Sequence, residues 1–272
     1  MSKSQQRRII AAERIADTLM NTTLTTLPIT GLVDIYQFGV LTGDGLRAWH
    51  DTMPLLDISI ENANVFGFDS FSGMPFEDPE FMRPMHQKSA EWKQGGLNAA
   101  TRLGTSEWPQ LRARVINNSR FPSERVHLIR GFYNESLRGG RALAQNHGMR
   151  PALLLDIDCD LYTSSKQALT FMLKANLLRP GSFVYYDDYS LMDWNWRNTS
   201  HPYREERRAH AEVELEWGLT WRHARRIVYR GPRPELDWIR QWNNGSRFHN
   251  HWISDRDMVP VMQLVSCARC SP

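Results

Sequence analysis

The stretch ALLLDIDCDLYTSSKQAL (152–169) decides the fold, because an apolar run ends abruptly in alternating acidic residues. A nearly continuous apolar run of this length is typical of a strand that helices cover on both faces. The hydroxyl residues at 163–165 and the residues after them have the pattern of a helix start. A buried strand that leads into a helix predicts a unit of a parallel α/β sheet.

Other short apolar runs alternate with stretches long enough for crossover helices. The predicted strands are 34–40, 64–69, 125–131, 152–158 and 182–188, and the later runs 223–231 and 259–266 are expected to close the sheet as an antiparallel pair. The fold class is therefore α/β: a Rossmann-like, mostly parallel sheet with helices on both faces and a terminal antiparallel strand pair. We expect one domain over 1–272, with an N-terminal helical lid (1–30), a loop-rich insertion (72–100), and acceptor-side and C-terminal elements (190–272).

Charge and cysteine content narrow the class of protein. The 272 residues carry 33 basic and 30 acidic side chains, and a formal net charge of +3 is too balanced to indicate nucleic-acid binding. Three cysteines are too few for a disulfide framework and suggest a reducing compartment. No apolar run approaches the roughly 18 residues of a membrane span. We therefore expect a cytoplasmic protein that binds neither nucleic acid nor membranes.

A glycine-rich turn follows the first predicted strand. Gly39, Gly43 and Gly45 would let the backbone turn tightly and approach a ligand closely. Asp69 ends the second strand, where an acidic side chain can accept hydrogen bonds from the two hydroxyls of a ribose. The spacing is G-x-x-x-G-x-G rather than the G-x-G-x-x-G of NAD sites. A purely structural turn with a helix cap at Asp69 is the alternative.

Acidic residues end the fourth and fifth predicted strands. Asp158 and the pair Asp187–Asp188 lie one helix and one strand apart, so the two strands can be parallel neighbours with their carboxylates side by side. Clustered carboxylates repel each other, and a hard cation such as Mg²⁺ or Mn²⁺ removes that repulsion. We therefore predict a metal site at Asp158, Asp187 and Asp188, with Asp160 as a candidate general base. Capping of the following helices would account for one acid but not for four.

The motifs together resemble those of a known family. GFDSFSGMP (67–75) is similar to the D-S-F-x-G-L-P signature of the macrocin/mycinamicin-type (TylF/MycF-like) sugar O-methyltransferases. ALLLDIDCDLYTSSKQAL (152–169) resembles their H-x-D-x-D-L-Y-x-S-T-x-x-A-L, RPGSFVYYDDY (179–189) their R-P-G-G-x-x-x-x-D-D-Y, and RGFYNESL (130–137) their G-x-F-x-D-T-L. The four motifs occur in the family's order over roughly residues 30–190.

This resemblance implies a class I fold that uses S-adenosylmethionine (SAM), and a divalent metal, usually Mg²⁺. By position, Asp158, Asp187 and Asp188 would ligate the metal, and Asp160 would stand where the family has a proposed base. The remaining assignments concern the methyl donor: Asp69 and Ser70 would hold its ribose, Gly39 and Gly43 would line its methionine portion, and Gly131 and Phe132 would lie near its adenine. The expected reaction is SAM- and metal-dependent methylation of a hydroxyl on a sugar or glycosylated natural product.

The chain departs from the family pattern at three positions. Gln37 stands where members usually carry Glu, which removes a charge near the donor's ammonium group, and Asp44 stands where a second glycine is usual. Asp156 replaces a His or another basic or polar residue, and we expect its side chain to point to the opposite face of the strand from Asp158. These departures leave open a methyltransferase-like domain that binds its ligands without turning over.

Two other enzyme classes share part of the pattern. Phosphotransferases of the haloacid-dehalogenase kind also have an apolar strand that ends in D-x-D, but their nucleophilic Asp lies near the start of the domain, whereas three predicted strands precede it here. Metal-dependent glycosyltransferases carry a D-x-D motif as well, but they leave the acids at 187–188 and the signature at 67–75 unexplained. The resemblance implies a small hydroxylated acceptor, a sugar. Trp194 and Trp196 follow the paired acids and could form an acceptor wall or belong to the core. The sequence does not determine the oligomeric state, and a homodimer is one possible assembly.

Overall fold

A computed structural model of the chain describes residues 3–20, 34–56, 63–82, 84–188, 205–224 and 261–270. Its α-helices in these ranges are α1 (Lys3–Met20), α2 (Asp44–Thr52), α3 (Pro84–Lys88), α4 (Ala99–Leu103), α5 (Trp108–Ser119), α6 (Tyr133–Ser136), α7 (Gly140–Asn146), α8 (Tyr162–Lys174) and α9 (Glu205–Trp217). Its strands are β1 (Asp34–Phe38), β2 (Val65–Asp69), β3 (Val126–Arg130), β4 (Ala152–Ile157), β5 (Phe183–Tyr186), β6 (Leu219–His223) and β7 (Val261–Cys267).

The strands form one sheet in the order β3-β2-β1-β4-β5-β7-β6. The pairs among β1 to β5 are parallel, whereas β7 runs antiparallel to both β5 and β6. This arrangement confirms the predicted α/β fold with its terminal antiparallel pair. The strand order reverses between β1 and β4, and open α/β sheets bind ligands in the crevice at the carboxyl ends of the strands at such a point.

The last strand pair differs from the prediction at one member. β6 is formed by Leu219–His223, which shares only residue 223 with the predicted strand 223–231, and residues 225–231 lie outside the described part of the chain. The segment LTWRH mixes apolar and polar residues, with Leu219 buried and Thr220 exposed, as expected for a strand at the edge of a sheet. The prediction placed the strand on the run that follows, 223–231.

The sheet has a hydrophobic core on each face because successive side chains of a strand point to opposite sides. On β4, Leu154 packs in a cluster with Trp49 of α2 and Ile15 of α1. Its neighbour Leu155 packs on the other face, in a cluster with Phe171 of α8. Helix α1 therefore belongs to the core of one face, and its N-terminal end lies near the carboxyl ends of β4 and β5.

The C-terminal cysteines form a bond that the sequence analysis did not predict. Cys267 and Cys270 are joined by a disulfide across the turn after β7, with their Cα atoms 5.5 Å apart. Within the described ranges, no helix has both the length and the apolar character that crossing a membrane requires.

Gly39 offers a test of how tightly β1 and β4 are packed. Its φ is +88°, and a Cβ atom there would lie 1.8 Å from the carbonyl oxygen of Asp158. Gly148 also has a positive φ, +62°, but a Cβ atom there would meet nothing within 4 Å. We expect Gly148→Ala to lower the free energy of unfolding by about 1 kcal/mol and Gly39→Ala by roughly 3 kcal/mol or more. Urea unfolding followed by circular dichroism measures both, and equal losses would contradict the close contact.

Candidate active site

A cavity of about 830 Å³ opens at the carboxyl edge of the sheet, beside the reversal in strand order. This volume lies within the range of roughly 300–1,000 Å³ that is typical of small-molecule sites. Its lining includes most of the residues predicted from the sequence: Gly39, Asp69, Ser70, Gly131, Phe132, Asp158, Asp160, Asp187 and Asp188. The exception is Gly43, which caps α2 and packs against the carbonyl of Val115 in α5, where a Cβ atom would come within 2.7 Å.

Asp69 organises the turn after β1. Its Oδ2 accepts hydrogen bonds from the backbone N–H groups of Val40 and Leu41, both at 2.8 Å. Its Oδ1 accepts one from the N–H of Phe71 at 2.6 Å. The same carboxylate therefore fixes the loop after β1 and the loop after β2. A carboxylate oxygen has more than one lone pair, so these contacts leave Asp69 able to accept further hydrogen bonds from a ligand.

Burial and hydrogen bonding act on Asp69 in opposite directions. Removal from water raises the pKa of this carboxyl group, while the backbone N–H donors favour its ionised form. The Ser70 side chain also acts locally, since its Oγ donates to the carbonyl of Gly73 at 2.6 Å. These contacts fix the loops that follow β1 and β2, which form one half of the cavity.

Two of the departures from the family pattern lie in this half. Gln37 is fully buried, and its Nε2 donates to the carbonyl of Gly39 at 2.9 Å. Its Oε1 has no hydrogen-bond partner among the described residues. Gly45 lies against this side chain, because a Cβ atom there would approach Nε2 to 2.3 Å. Asp44 lines the cavity and accepts a hydrogen bond from Thr42 at 2.7 Å.

The other half of the cavity is acidic and contains an unexpected cation. Arg8 of α1 is fully buried, and its Nη2 lies 2.6 Å from Asp158 Oδ2 while its Nη1 lies 3.3 Å from Asp187 Oδ1. The same guanidinium donates from Nε to Asp156 Oδ2 at 2.8 Å and from Nη2 to Asp156 Oδ1 at 3.2 Å. One side chain from the N-terminal helix thus joins the ends of β4 and β5.

The position of Asp156 corrects the sequence analysis. Asp156 and Asp158 do not face opposite sides of the strand, because both contact the guanidinium of Arg8. Residues two apart on a strand point to the same side, so the predicted opposite orientation of the two side chains was wrong. Trp49 of α2 also donates to Asp156 Oδ2, at 2.7 Å, so this buried carboxylate is fully engaged in holding Arg8 and Trp49 together.

A second group of acids lies beside the first. Asp160 shares a hydrogen bond with Asp188, and the backbone N–H of Asp188 donates to Glu206 Oε2 at 3.1 Å. Burial raises the pKa of Asp160 well above its usual range, and the charges of Asp188 and Asp158 raise it further. Burial also raises the pKa of Glu206, with added repulsion from Asp188 and Asp158. This group carries negative charge that Arg8 alone does not offset.

The acidic half suits a divalent cation in its chemistry more than in its present geometry. Among the described residues, no three His, Cys, Asp or Glu side chains converge closely enough to form a ready metal site. The donor types nevertheless fit, since carboxylate oxygens are the ligands that Mg²⁺ and Mn²⁺ prefer. Glu206 Oε1 is buried without a hydrogen-bond partner in the described part of the chain. Asp158 and Asp187, two of the predicted ligands, each direct one oxygen to Arg8 instead.

Sequence reasoning missed Arg8 and Glu206 as site residues. Arg8 precedes Ala11, Ala12 and Ile15 by three, four and seven positions, so it lies on the apolar stripe of α1, where all three are buried. A charged residue on a buried stripe is a signal that could have identified it. Glu206 had no comparable signal, because it reaches the site only through the packing of α9.

Part of the predicted insertion forms the outer wall of the cavity. Phe76 and Trp92 line it, and the side chain of Phe76 is 70% exposed although it is apolar. Trp92 stacks on His86 at a ring distance of 3.5 Å, and His86 Nδ1 lies 2.7 Å from Glu205 Oε1. The insertion is thereby attached to the start of α9. The proposed acceptor wall at Trp194 and Trp196 lies outside the described residues.

The raised pKa of Glu206 predicts a pH-dependent effect on stability. A carboxyl group whose pKa is higher in the folded protein than the unfolded value of about 4.3 destabilises the fold progressively as pH rises above that value. Glu206→Gln removes this destabilisation while keeping a side-chain oxygen that can accept the hydrogen bond from the N–H of Asp188. We expect the variant, in EDTA, to gain roughly 1–3 kcal/mol over the wild type by pH 7 and little near pH 4.

Glu216→Gln is the matched control, because Glu216 is an exposed residue of the same helix. Urea unfolding at several pH values between 4 and 8, a range set around the carboxyl pKa, measures the differences. A stability difference for Glu206→Gln that does not grow with pH would contradict the crowding of acids at this site.

The chain is similar to one known family and to several solved structures. The sequence model of one family, Macrocin-O-methyltransferase (TylF), matches residues 34–223. Among solved structures, the O-methyltransferase NovP is similar at 20% identity and a TM-score of 0.49, covering 78% of this chain and 72% of its own. The calicheamicin methyltransferase CalS11 is similar at 17% identity and a TM-score of 0.49, covering 86% of this chain and 79% of its own.

A structure of CalS11 without ligands, described as a TDP-rhamnose 3'-O-methyltransferase, is similar at 19% identity and a TM-score of 0.44, with 86% and 79% of the two chains covered. A comparison with curated proteins found no match. The family match spans most of the chain, from β1 to β6, and contains the cavity lining at the carboxyl ends of the strands from β1 to β5. The chain belongs to the macrocin O-methyltransferase (TylF) family.

Proposed function

We propose that this protein transfers the methyl group of SAM to a hydroxyl of a sugar or glycosylated small molecule, with the help of a divalent cation. One observation carries the proposal: the glycine turn, Asp69 and the acids after β4 and β5 all line a single cavity. In this proposal the donor lies beside the glycine turn and the acceptor beside the acids. Membership of the TylF family supports the same reaction.

The donor half would hold SAM by its polar groups. Asp69 and Ser70 would accept hydrogen bonds from the ribose, while the backbone at Gly39 would follow the methionine portion. Gly131 and Phe132 would border the adenine. Gly43 would contribute through the turn that it allows at the start of α2, since it does not line the cavity itself.

Asp160 is the proposed general base. SAM supplies an electrophilic methyl group on a positively charged sulfur. When the acceptor oxygen forms its bond to this carbon, the carbon–sulfur bond breaks and its electron pair stays on sulfur, while the hydroxyl proton passes to Asp160. A carboxyl group with a raised pKa is a stronger base, and burial and neighbouring acids raise the pKa of Asp160.

Asp158, Asp187 and Asp188 are the proposed ligands of the cation, and Glu206 is a further oxygen donor nearby. A bound Mg²⁺ or Mn²⁺ would lower the pKa of an acceptor hydroxyl and help to orient it. The acids would hold the acceptor end of the cavity, and Phe76 and Trp92 would cover it with aromatic faces that suit a sugar ring.

Binding of S-adenosylhomocysteine, the demethylated donor, tests the donor half. We expect one equivalent to bind in calorimetric titration, both with Mg²⁺ and with EDTA. Asp69→Asn should weaken this binding roughly 10- to 100-fold, because the backbone N–H groups of the turn lose a charged acceptor. Asp51→Asn, a change on α2 outside the cavity lining, should leave the affinity unchanged.

Two outcomes of this titration would count against the proposal in different ways. No binding under either condition would reject the donor site and favour a sugar-nucleotide transferase that uses the D-x-D motif. Binding without any transfer of labelled methyl to a panel of alkyl and aryl glycosides would favour a methyltransferase-like binding domain.

Asp160→Asn tests the proposed base. We expect the rate of methyl transfer to fall roughly 10²- to 10⁴-fold, since the amide cannot take the hydroxyl proton. The affinity for S-adenosylhomocysteine should not change. Asp51→Asn serves as the control, because Asp51 lies outside the cavity lining and this variant should transfer methyl at the wild-type rate. Transfer of labelled methyl measures both variants, and a wild-type rate for Asp160→Asn would eliminate Asp160 as the base.

A further inference from the structure

Arg8 is the most fully engaged cation at the acidic half of the cavity. The guanidinium contacts Asp156 through Nε and Nη2, Asp158 through Nη2, and Asp187 through Nη1. Its three nitrogens thus all face carboxylates, and none of the side chain is exposed. An arginine in this geometry is permanently charged and directs its donors along fixed lines.

Asp156 anchors this arginine rather than serving as a ligand itself. It is fully buried, accepts two hydrogen bonds from Arg8, and accepts a third from Trp49 Nε1 at 2.7 Å. A second contact holds the same helix, since Arg7 Nη1 donates to the carbonyl of Asp187 at 2.8 Å. Helix α1 is therefore fastened at its N-terminal end to the ends of both strands.

Arg8 occupies a position that a second cation would also need. Its guanidinium contacts one carboxylate oxygen of Asp158 and one of Asp187, two acids that follow different strands. A divalent cation bound between these strands would need the same carboxylates and would be repelled by the guanidinium. The two positive groups are therefore competitors for this part of the cluster.

We infer that Arg8 is a positioning residue of the methyl-transfer site, an internal cation that orients Asp158 and Asp187 and lowers the affinity of the cluster for a divalent cation. The inference rests on the proposed function for its catalytic meaning. A divalent cation then gains full access to Asp158 and Asp187 only when Arg8 leaves them, which couples cation binding to the N-terminal end of α1.

Binding of Mn²⁺, followed by electron paramagnetic resonance of the free ion, tests the competition. We expect Arg8→Gln to bind one Mn²⁺ roughly tenfold or more tightly than the wild type, because a competing charge is gone. Arg8→Lys should fall between the two, since it keeps the charge but loses the planar fork. A merely structural role for Arg8 predicts the opposite sign, because loss of α1 packing would weaken the site.

Arg150→Gln is the matched control. Arg150 pairs with the buried Asp34 at the other end of β1. The substitution therefore also takes an arginine away from a buried carboxylate, but one that is far from the cavity. Its Mn²⁺ affinity should equal that of the wild type. Equal or weaker Mn²⁺ binding by Arg8→Gln, or an equal gain in Arg150→Gln, would overturn the inference.

Limited proteolysis provides a test in the unaltered protein. Trypsin cleaves after arginine, and the bond between Arg8 and Ile9 is protected while Arg8 is buried. We expect saturating Mn²⁺ to accelerate cleavage at this bond, with the rate after the exposed Arg120 unchanged as an internal control. A cleavage rate at Arg8 that does not respond to Mn²⁺ would show that the two cations do not compete.

These measurements are independent of the donor-binding titration. Failure of S-adenosylhomocysteine to bind would reject the proposed function but would not alter the Mn²⁺ affinities. Conversely, unchanged Mn²⁺ binding in Arg8→Gln would reject the role of Arg8 while leaving the methyl-donor site intact.

Discussion

Buried negative charge at the carboxyl ends of β4 and β5 is the constraint on which the organisation of the site depends. The parallel arrangement brings these strand ends together, and α9 adds one more acid beside them. The carboxylates concerned are Asp156, Asp158, Asp160, Asp187, Asp188 and Glu206. An isolated charge in such surroundings is strongly unfavourable, so the fold must supply a cation or leave some groups protonated. Arg8 supplies part of the compensation, while burial and the neighbouring carboxylates raise the pKa of Asp160 and that of Glu206.

This requirement joins the N-terminal helix to the chemistry of the site. Arg8 reaches carboxylates that follow it by 148 to 179 positions in the chain, so its contacts form only when the complete sheet is in place. The apolar residues of α1 bury its other contacts in the same face of the core. A helix that would otherwise only cover the sheet therefore also contacts two of the acids that line the cavity.

The half of the cavity beside the glycine turn depends on a different constraint, the close approach of two backbone segments. A Cβ atom at Gly39 would overlap the carbonyl of Asp158, so the glycine turn and the acidic strand share one wall. Asp69 then fixes the turn by three backbone hydrogen bonds. The fold itself thus requires glycine at position 39, whether or not a ligand binds. The effect is to place the donor and acceptor halves side by side.

These two constraints also explain what the sequence could and could not predict. Periodic apolar runs identified β1 to β5 and β7, and the rule that parallel strands end at one edge brought Asp158, Asp187 and Asp188 together correctly. Edge strand β6 was missed because LTWRH has a weak pattern next to a stronger apolar run. Arg8 had a usable signal, its charge on the buried stripe of α1, but its carboxylate partners did not, and neither did Glu206, because these contacts depend on packing between distant segments. The wrong face assigned to Asp156 came from misapplying strand alternation.

Asp156 shows how one substitution can relocate a charge. The family resemblance places a His or another basic or polar residue at this position, next to the acids at the end of β4. Here the position is acidic and buried, which by itself would add to the repulsion at the site. Arg8 reverses the effect, because it binds Asp156 and places its remaining donors on Asp158 and Asp187. The positive charge beside these acids thus comes from helix α1 rather than from the strand itself.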